Sequence, residues 1–66
     1  MYANYEAIRK ARGLSDYAVS KKSGVPATVI SNWKTGRSTP KLPAMIKMAE
    51  VLECDVMEFV DEKELH

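Results

Sequence analysis

Cysteine and histidine are nearly absent from this 66-residue chain, each occurring once. A lone Cys54 closes no internal disulfide, and a disulfide-free chain of this size suits a reducing, cytoplasmic setting. The one histidine, His66, is the last residue, and no Cys, His or carboxylate cluster has metal-ligand spacing. No Gly-rich loop is present to cradle a phosphate. The expectation is therefore no catalytic residue, no metal, no cofactor and no enzyme. Long apolar runs are missing too. Nothing approaches the roughly 18 residues of a membrane span, and Glu6, Arg9, Lys10 and Arg12 interrupt any secretory signal. No membrane partner is expected. Strand-like alternation never runs far enough to compete with helical spacing.

Acids are missing from one particular stretch. Residues 25–40, "VPATVISNWKTGRSTP", contain no Asp or Glu, but they carry Trp33, Lys34, Arg37 and a run of hydroxyl side chains. The net charge of +1 conceals the asymmetry behind this. Residues 1–41 carry eight cations against two acids, and residues 42–66 carry two cations against seven acids. That distribution describes either a basic working face with an acidic opposite end, or solvated helix faces without a partner.

What remains is enough for one domain. A chain this short buries only about 60% of its unfolded surface, and 45% hydrophobic residues lie in the globular range. Gly13, Gly24 and Gly36 each follow a periodic segment with cations in its last turns, as left-handed helix C-caps do. The pattern predicts five helices. The first covers residues 4–12, with Tyr5 and Ile8 inward. The second begins at Ser15, an N-cap flanked by Leu14 and Val19 as a hydrophobic staple. The third covers residues 26–35. The fourth covers residues 43–52, Pro43 in its first turn, burying Leu42, Met45, Met48, Ala49 and Leu52. The fifth starts at Asp55, whose spacing to Glu58 is that of a capping box, and buries Val56 and Phe59. Met45, Met48 and Met57 read as flexible core filler, and Cys54 as a small buried hydrophobe without a basic neighbour to activate it. Residues 61–66 form an acidic tail expected to be disordered, so the domain is residues 1–60.

On the third helix, at 100° per residue, Ile30, Trp33, Val29 and Pro26 fall on one side and must face the core. Thr28, Ser31, Asn32 and Thr35 fall on the other, with Ala27 at the edge. Short polar groups on an exposed helix face suit the major groove of DNA. Lys34, Arg37, Ser38 and Lys41 flank that face, placed to bind phosphates and fix the register. A solvated helix followed by a polar loop is the plainer account of the same residues.

The segment "SDYAVSKKSGVPATVISNWKTG" combines a small residue at Ser20, a sharp turn at Gly24, and apolar Ile30 and Trp33, a spacing that locks two helices at a steep angle. It resembles the helix-turn-helix of the phage repressor and Cro-type (XRE-like) transcription regulators. "YEAIRKARGLS" looks like that family's first helix and turn, and "GRSTPKLPAMIKMAEVLECDVMEF" like its closing two helices. The resemblance covers residues 4–60 in one register. It implies a compact, five-helix, all-α lambda-repressor-like domain that binds a double-stranded DNA operator as a homodimer. Positions matching Ala27, Thr28 and Asn32 commonly touch bases in the family, and the one matching Thr35 touches phosphate. Ser31 joins the base-contacting set by its place on the same face. Ser15 and the N-terminus of the second helix would meet a further phosphate.

The sequence departs from the family pattern at three positions. Asp16 stands where relatives often carry Gln, and is expected to turn toward its helix dipole or to a cytosine amine. Ala27 offers only a methyl group where a polar reader is common. Lys34 replaces a Glu that in relatives pairs with the Arg matching Arg9. That leaves Arg9 for phosphate or for another acid such as Glu6. Exposed apolar residues left over for a dimer contact are Ile46, Met57 and Val60. The expectation is a transcription regulator, a repressor of phage or mobile-element type. The alternative is an antitoxin or protein-interaction module on the same fold, with the tail "VDEKELH" as one possible contact and the switching partner unknown.

Overall fold

In the computed structural model, which describes residues 1–60, four α-helices are followed by a single 3-10 turn: α1 (Tyr2–Ala11), α2 (Asp16–Ser23), α3 (Ala27–Lys34), α4 (Leu42–Leu52) and the turn Val56–Glu58. No strand is present among the described residues. The tail at 61–66, with His66, lies outside the described residues.

Local chemistry accounts for most of the helix ends. Helix α1 starts two residues before the expected position because the Met1 carbonyl accepts from both Asn4 and Tyr5 N–H. It stops at Gly13, whose φ of +70° an L-residue adopts only at a cost. Ser15 caps α2, its Oγ accepting from Ala18 N at 3.1 Å. Gly24, at φ +81°, ends α2 by donating to Ser20 O. Two side chains then brace the turn into α3. Ser20 Oγ donates to Val25 O at 2.6 Å, and Val25 N donates to Ser23 Oγ at 3.1 Å. Both serines satisfy backbone groups that the sharp turn would otherwise leave unpaired.

The fifth helix is not formed. The Asp55–Glu58 capping box is present, as its spacing implies, but it starts only one 3-10 turn. Phe59 leaves helical geometry at φ −133°, and its ring is fully buried. Three residues are enough to bring the chain back over the core, so no longer helix is required. Val60 is also buried, at 4% exposure, with its N–H on Val56 O. It therefore cannot serve in a dimer contact. Met57 points outward, 49% exposed, and is not core filler. Leu42 was expected inside but is 37% exposed, because it is the first residue of α4 and lies beyond the edge of the packed layer.

The core gathers Tyr5, Val19, Val25, Ile30, Trp33, Met45, Met48, Ala49, Leu52, Phe59 and Val60. Three of its rings, Tyr5, Trp33 and Phe59, cluster with the half-buried Tyr2, with centroids 5.3–6.1 Å apart in the contacting pairs. Such pairs contribute about 0.5–1.5 kcal/mol each beyond burial. They tie α3 to α1 and to the 3-10 turn, so the helix that carries the candidate site has a rigid back. Cys54 is half-buried. Burial, then the nearby Glu58 carboxylate, pushes its thiol above the ordinary value, which opposes a redox role.

Candidate nucleic-acid interface

Helix α3 has two unlike sides. Ile30 and Trp33 are buried at 1% and 6% exposure, with Val29 half-buried beside them. Pro26 does not join them: it is the exposed N-cap of the helix, outside the core face assigned to it. Ala27, Thr28, Ser31 and Thr35 are exposed, and Asn32 is half-buried. Eight residues make a rod about 12 Å long, similar to the roughly 12 Å width of a major groove.

The hydrogen bonding differs between these side chains, and this matters for what each could contact. Among the described residues the Asn32 amide makes no side-chain hydrogen bond, while its backbone carbonyl accepts from Arg37 N at 2.8 Å, Ser38 N at 3.3 Å and Thr35 Oγ1 at 3.3 Å. The backbone is fixed and the amide is left free to donate and accept. Thr35 turns its hydroxyl inward, donating to Ser31 O at 3.1 Å. In this rotamer its oxygen can accept, but its proton is in use. Ser15 accepts from Ala18 N and keeps its own O–H available.

Along the chain this stretch carries charge of one sign. No Asp or Glu occurs from residue 17 to residue 49, an interval that carries Lys21, Lys22, Lys34, Arg37, Lys41 and Lys47. All six are exposed, and none takes part in an ion pair among the described residues. Arg37, Ser38 and Lys41 follow α3 directly, held at their start by the Arg37 and Ser38 N–H bonds to Asn32 O. Every residue assigned to phosphate from the sequence (Ser15, Lys34, Thr35, Arg37, Ser38 and Lys41) is exposed.

Asp16 behaves differently from either expectation. It neither serves the dipole of its own helix alone nor stands free for a base. Its Oδ2 accepts from the Tyr2 hydroxyl at 2.8 Å and its Oδ1 from the Tyr5 hydroxyl at 2.8 Å. Arg9 Nε lies 2.9 Å from Oδ1, a close ion pair whose N–H is not aimed along a hydrogen bond. A second guanidinium nitrogen, Nη1, donates to Leu14 O at 2.8 Å, and Nη2 lies 3.7 Å from Glu6. The Arg9 side chain is 11% exposed, so it is not open to phosphate. Burial, followed by the bond to Asp16, raises both phenols above their ordinary value, Tyr5 far beyond it. Reading the first helix from residue 4 hides this cluster, because it omits Tyr2. The visible signal is the stripe Tyr2, Tyr5, Arg9, which has the i, i+3, i+7 spacing of one helix face.

A family model described as Helix-turn-helix matches residues 6–59 of the chain. No curated protein and no solved structure matches it. The matched span includes α2, the Gly24 turn and α3, the elements whose packing leaves an acid-free polar face outside. No helix among the described residues is long and apolar enough to cross a membrane. The chain belongs to the XRE-type, Cro-like helix-turn-helix family of DNA-binding transcription regulators.

Proposed function

We propose that the chain binds double-stranded DNA sequence-specifically, with α3 and its flanks (residues 26–35) in the major groove. It acts by occupying an operator, as a repressor of phage or mobile-element type, without catalysing a reaction. One observation carries this reading: α3 exposes Ala27, Thr28 and Ser31 on one side with Asn32 half-buried beside them, within a stretch (residues 17–49) that has no acid and carries cations without an ion-pair partner among the described residues. The free Asn32 amide suits the N6 and N7 edge of adenine, a bidentate contact that discriminates by roughly 1–3 kcal/mol. Thr28 and Ala27 offer methyl groups to thymine. Lys34, Arg37, Ser38 and Lys41 supply phosphate contacts on one flank and Ser15 on the other; Thr35 joins them on rotating its hydroxyl outward.

A two-fold homodimer would place two α3 helices one DNA turn apart. Of the three apolar residues assigned to that contact, Ile46 and Met57 are exposed, at 41% and 49%. In-vitro selection from a randomised duplex pool tests the whole proposal. The expected result is a palindromic site bound about 10³-fold or more tighter than random duplex. Enrichment of no sequence, with affinity insensitive to salt, would instead support a protein-interaction or antitoxin role. A monomer mass by light scattering on the selected site would remove the dimer.

A further inference from the structure

The carboxylate of Asp16 stands at the first position of α2, one residue after the Ser15 cap. A carboxylate in that position favours its own helix but opposes an approaching phosphate. Here it is committed elsewhere: Tyr2, Tyr5 and Arg9 converge on it from a single face of α1, within 2.8–2.9 Å. Two neutral donors and one cation therefore meet one anion, and the charges of Arg9 and Asp16 cancel locally. The same contacts join α1 to the first turn of α2, the helix that precedes the recognition helix by one tight corner.

We propose that Asp16 is a positioning residue for DNA docking: its cluster with Tyr2, Tyr5 and Arg9 fixes the start of α2 and withholds Arg9 from phosphate. The proposal rests on the DNA-binding reading above. With Arg9 satisfied from α2, the recognition helix needs no acid to hold it, and Lys34 on α3 stays unpaired and exposed. Releasing Arg9 then has a distinctive consequence. Glu6, at 3.7 Å, is its only other acid among the described residues, so a freed Arg9 adds an indiscriminate cation near the Ser15 end. Loosening the start of α2 meanwhile degrades the fit to one sequence.

Asp16→Asn tests this on the full chain, because the amide oxygen still accepts from one of the two phenols while the charge is removed. Affinity is measured on the selected site and on random duplex between 50 and 200 mM KCl, with a thermal melt alongside. The expected result is a log–log salt slope steeper by about 0.9 on random duplex, the amount for one added phosphate contact. The ratio of specific to non-specific affinity should fall by roughly tenfold, the scale of one lost base contact. A lower melting temperature with both affinities reduced in proportion and an unchanged slope would overturn the proposal and leave Asp16 as scaffold. Tyr2→Phe keeps the ion pair and covers the case in which Asp16→Asn does not fold. It should lower the specificity ratio with no change in slope, and an unaltered ratio would also overturn the proposal. If the wild-type chain itself selects no sequence, the DNA-binding reading fails first; normal wild-type binding with unresponsive variants refutes this inference alone.

Discussion

Lys34→Gln is the substitution from which the electrostatic account of the site can be worked out in numbers. Lys34 is the last residue of α3, exposed and without an ion-pair partner among the described residues. Its removal should leave the fold untouched and delete one phosphate contact. Each neutralised phosphate contributes about −0.9 to the slope of log K against log salt. If Lys34, Arg37 and Lys41 each meet one phosphate, these three give a slope near −2.7, so a fourfold rise in salt weakens binding by about 40-fold. Without Lys34 the slope is near −1.8 and the weakening about 12-fold. The difference of about 0.9 holds however many other cations take part, because their contribution is common to both proteins. Fluorescence anisotropy of a labelled duplex from 50 to 200 mM KCl reads it directly, with circular dichroism melts to verify the fold. Equal slopes for the two proteins would remove Lys34 from the phosphate contacts, and with it the idea that its exchange for an acid serves DNA affinity.

Trp33→Ala removes the ring that joins α3 to Tyr2, Tyr5 and Phe59. A loss of about 3–5 kcal/mol, comparable with the entire stability of a domain this size, should appear as a chain largely unfolded by circular dichroism at 25 °C. Gly24→Ala meets no atom within 4 Å, but its φ of +81° strains an L-residue. It should cost about 1 kcal/mol and lower the melting temperature by roughly 4–8 °C, and an unchanged melt would contradict the strain. Tyr2 and Tyr5 have raised pKa values in the folded chain, so their neutral phenols lend stability that is whole below pH 10. Above about pH 10 the unfolded chain ionises first and stability falls. The urea midpoint should drop between pH 10 and 11, and the double Tyr2→Phe, Tyr5→Phe variant should flatten that drop. Finally, Asp16→Gln combined with Lys34→Glu restores the family's partner for Arg9 on α3. It should be more stable than the sum of the two single changes gives, by a coupling of about 0.5–3 kcal/mol, and strict additivity would refute the exchange.

The parts of this fold legible in the sequence are those governed by a few adjacent residues. Ser15, Gly24 and Gly36 mark helix ends because a side-chain cap or a positive φ is a local requirement, and the structure meets it at each. The inward and outward faces of α3 were legible for the same reason: Ile30 and Trp33 are separated by close to one turn. What was not legible depends on where elements meet. A capping box identifies the start of a helix but says nothing of its length, so Asp55 and Glu58 open a single turn as readily as a full helix. Val60 is buried where the chain turns back over the core at Phe59, a contact between elements that the turn's own residues do not specify. The destination of the Asp16 carboxylate could not be read from α2 at all, since its partners are three side chains of α1.

The departures from the family pattern at positions 16 and 34 are best understood as one exchange. An arginine on α1 that is nearly enclosed, as Arg9 is at 11% exposure, requires an anion, because an unpaired buried charge is costly. That anion can come from the recognition helix or from the helix before it. Supplying it from α3 places a carboxylate on the element proposed to enter the groove, where it would subtract from every phosphate contact nearby. Supplying it from α2 keeps the acid among two phenols and the arginine, and lets residues 17–49 carry cations alone. Asp16→Gln with Lys34→Glu would lower the chain's net charge by one, from +1 to 0, and move the anion onto α3. At a separation shorter than the Debye length of about 8 Å in physiological salt, the location of each charge counts as well as the net charge in the field a phosphate meets. On the proposed DNA-binding reading, the exchange favours sequence-independent attraction and leaves the free amide of Asn32 and the methyl groups of Ala27 and Thr28 to carry most of the discrimination.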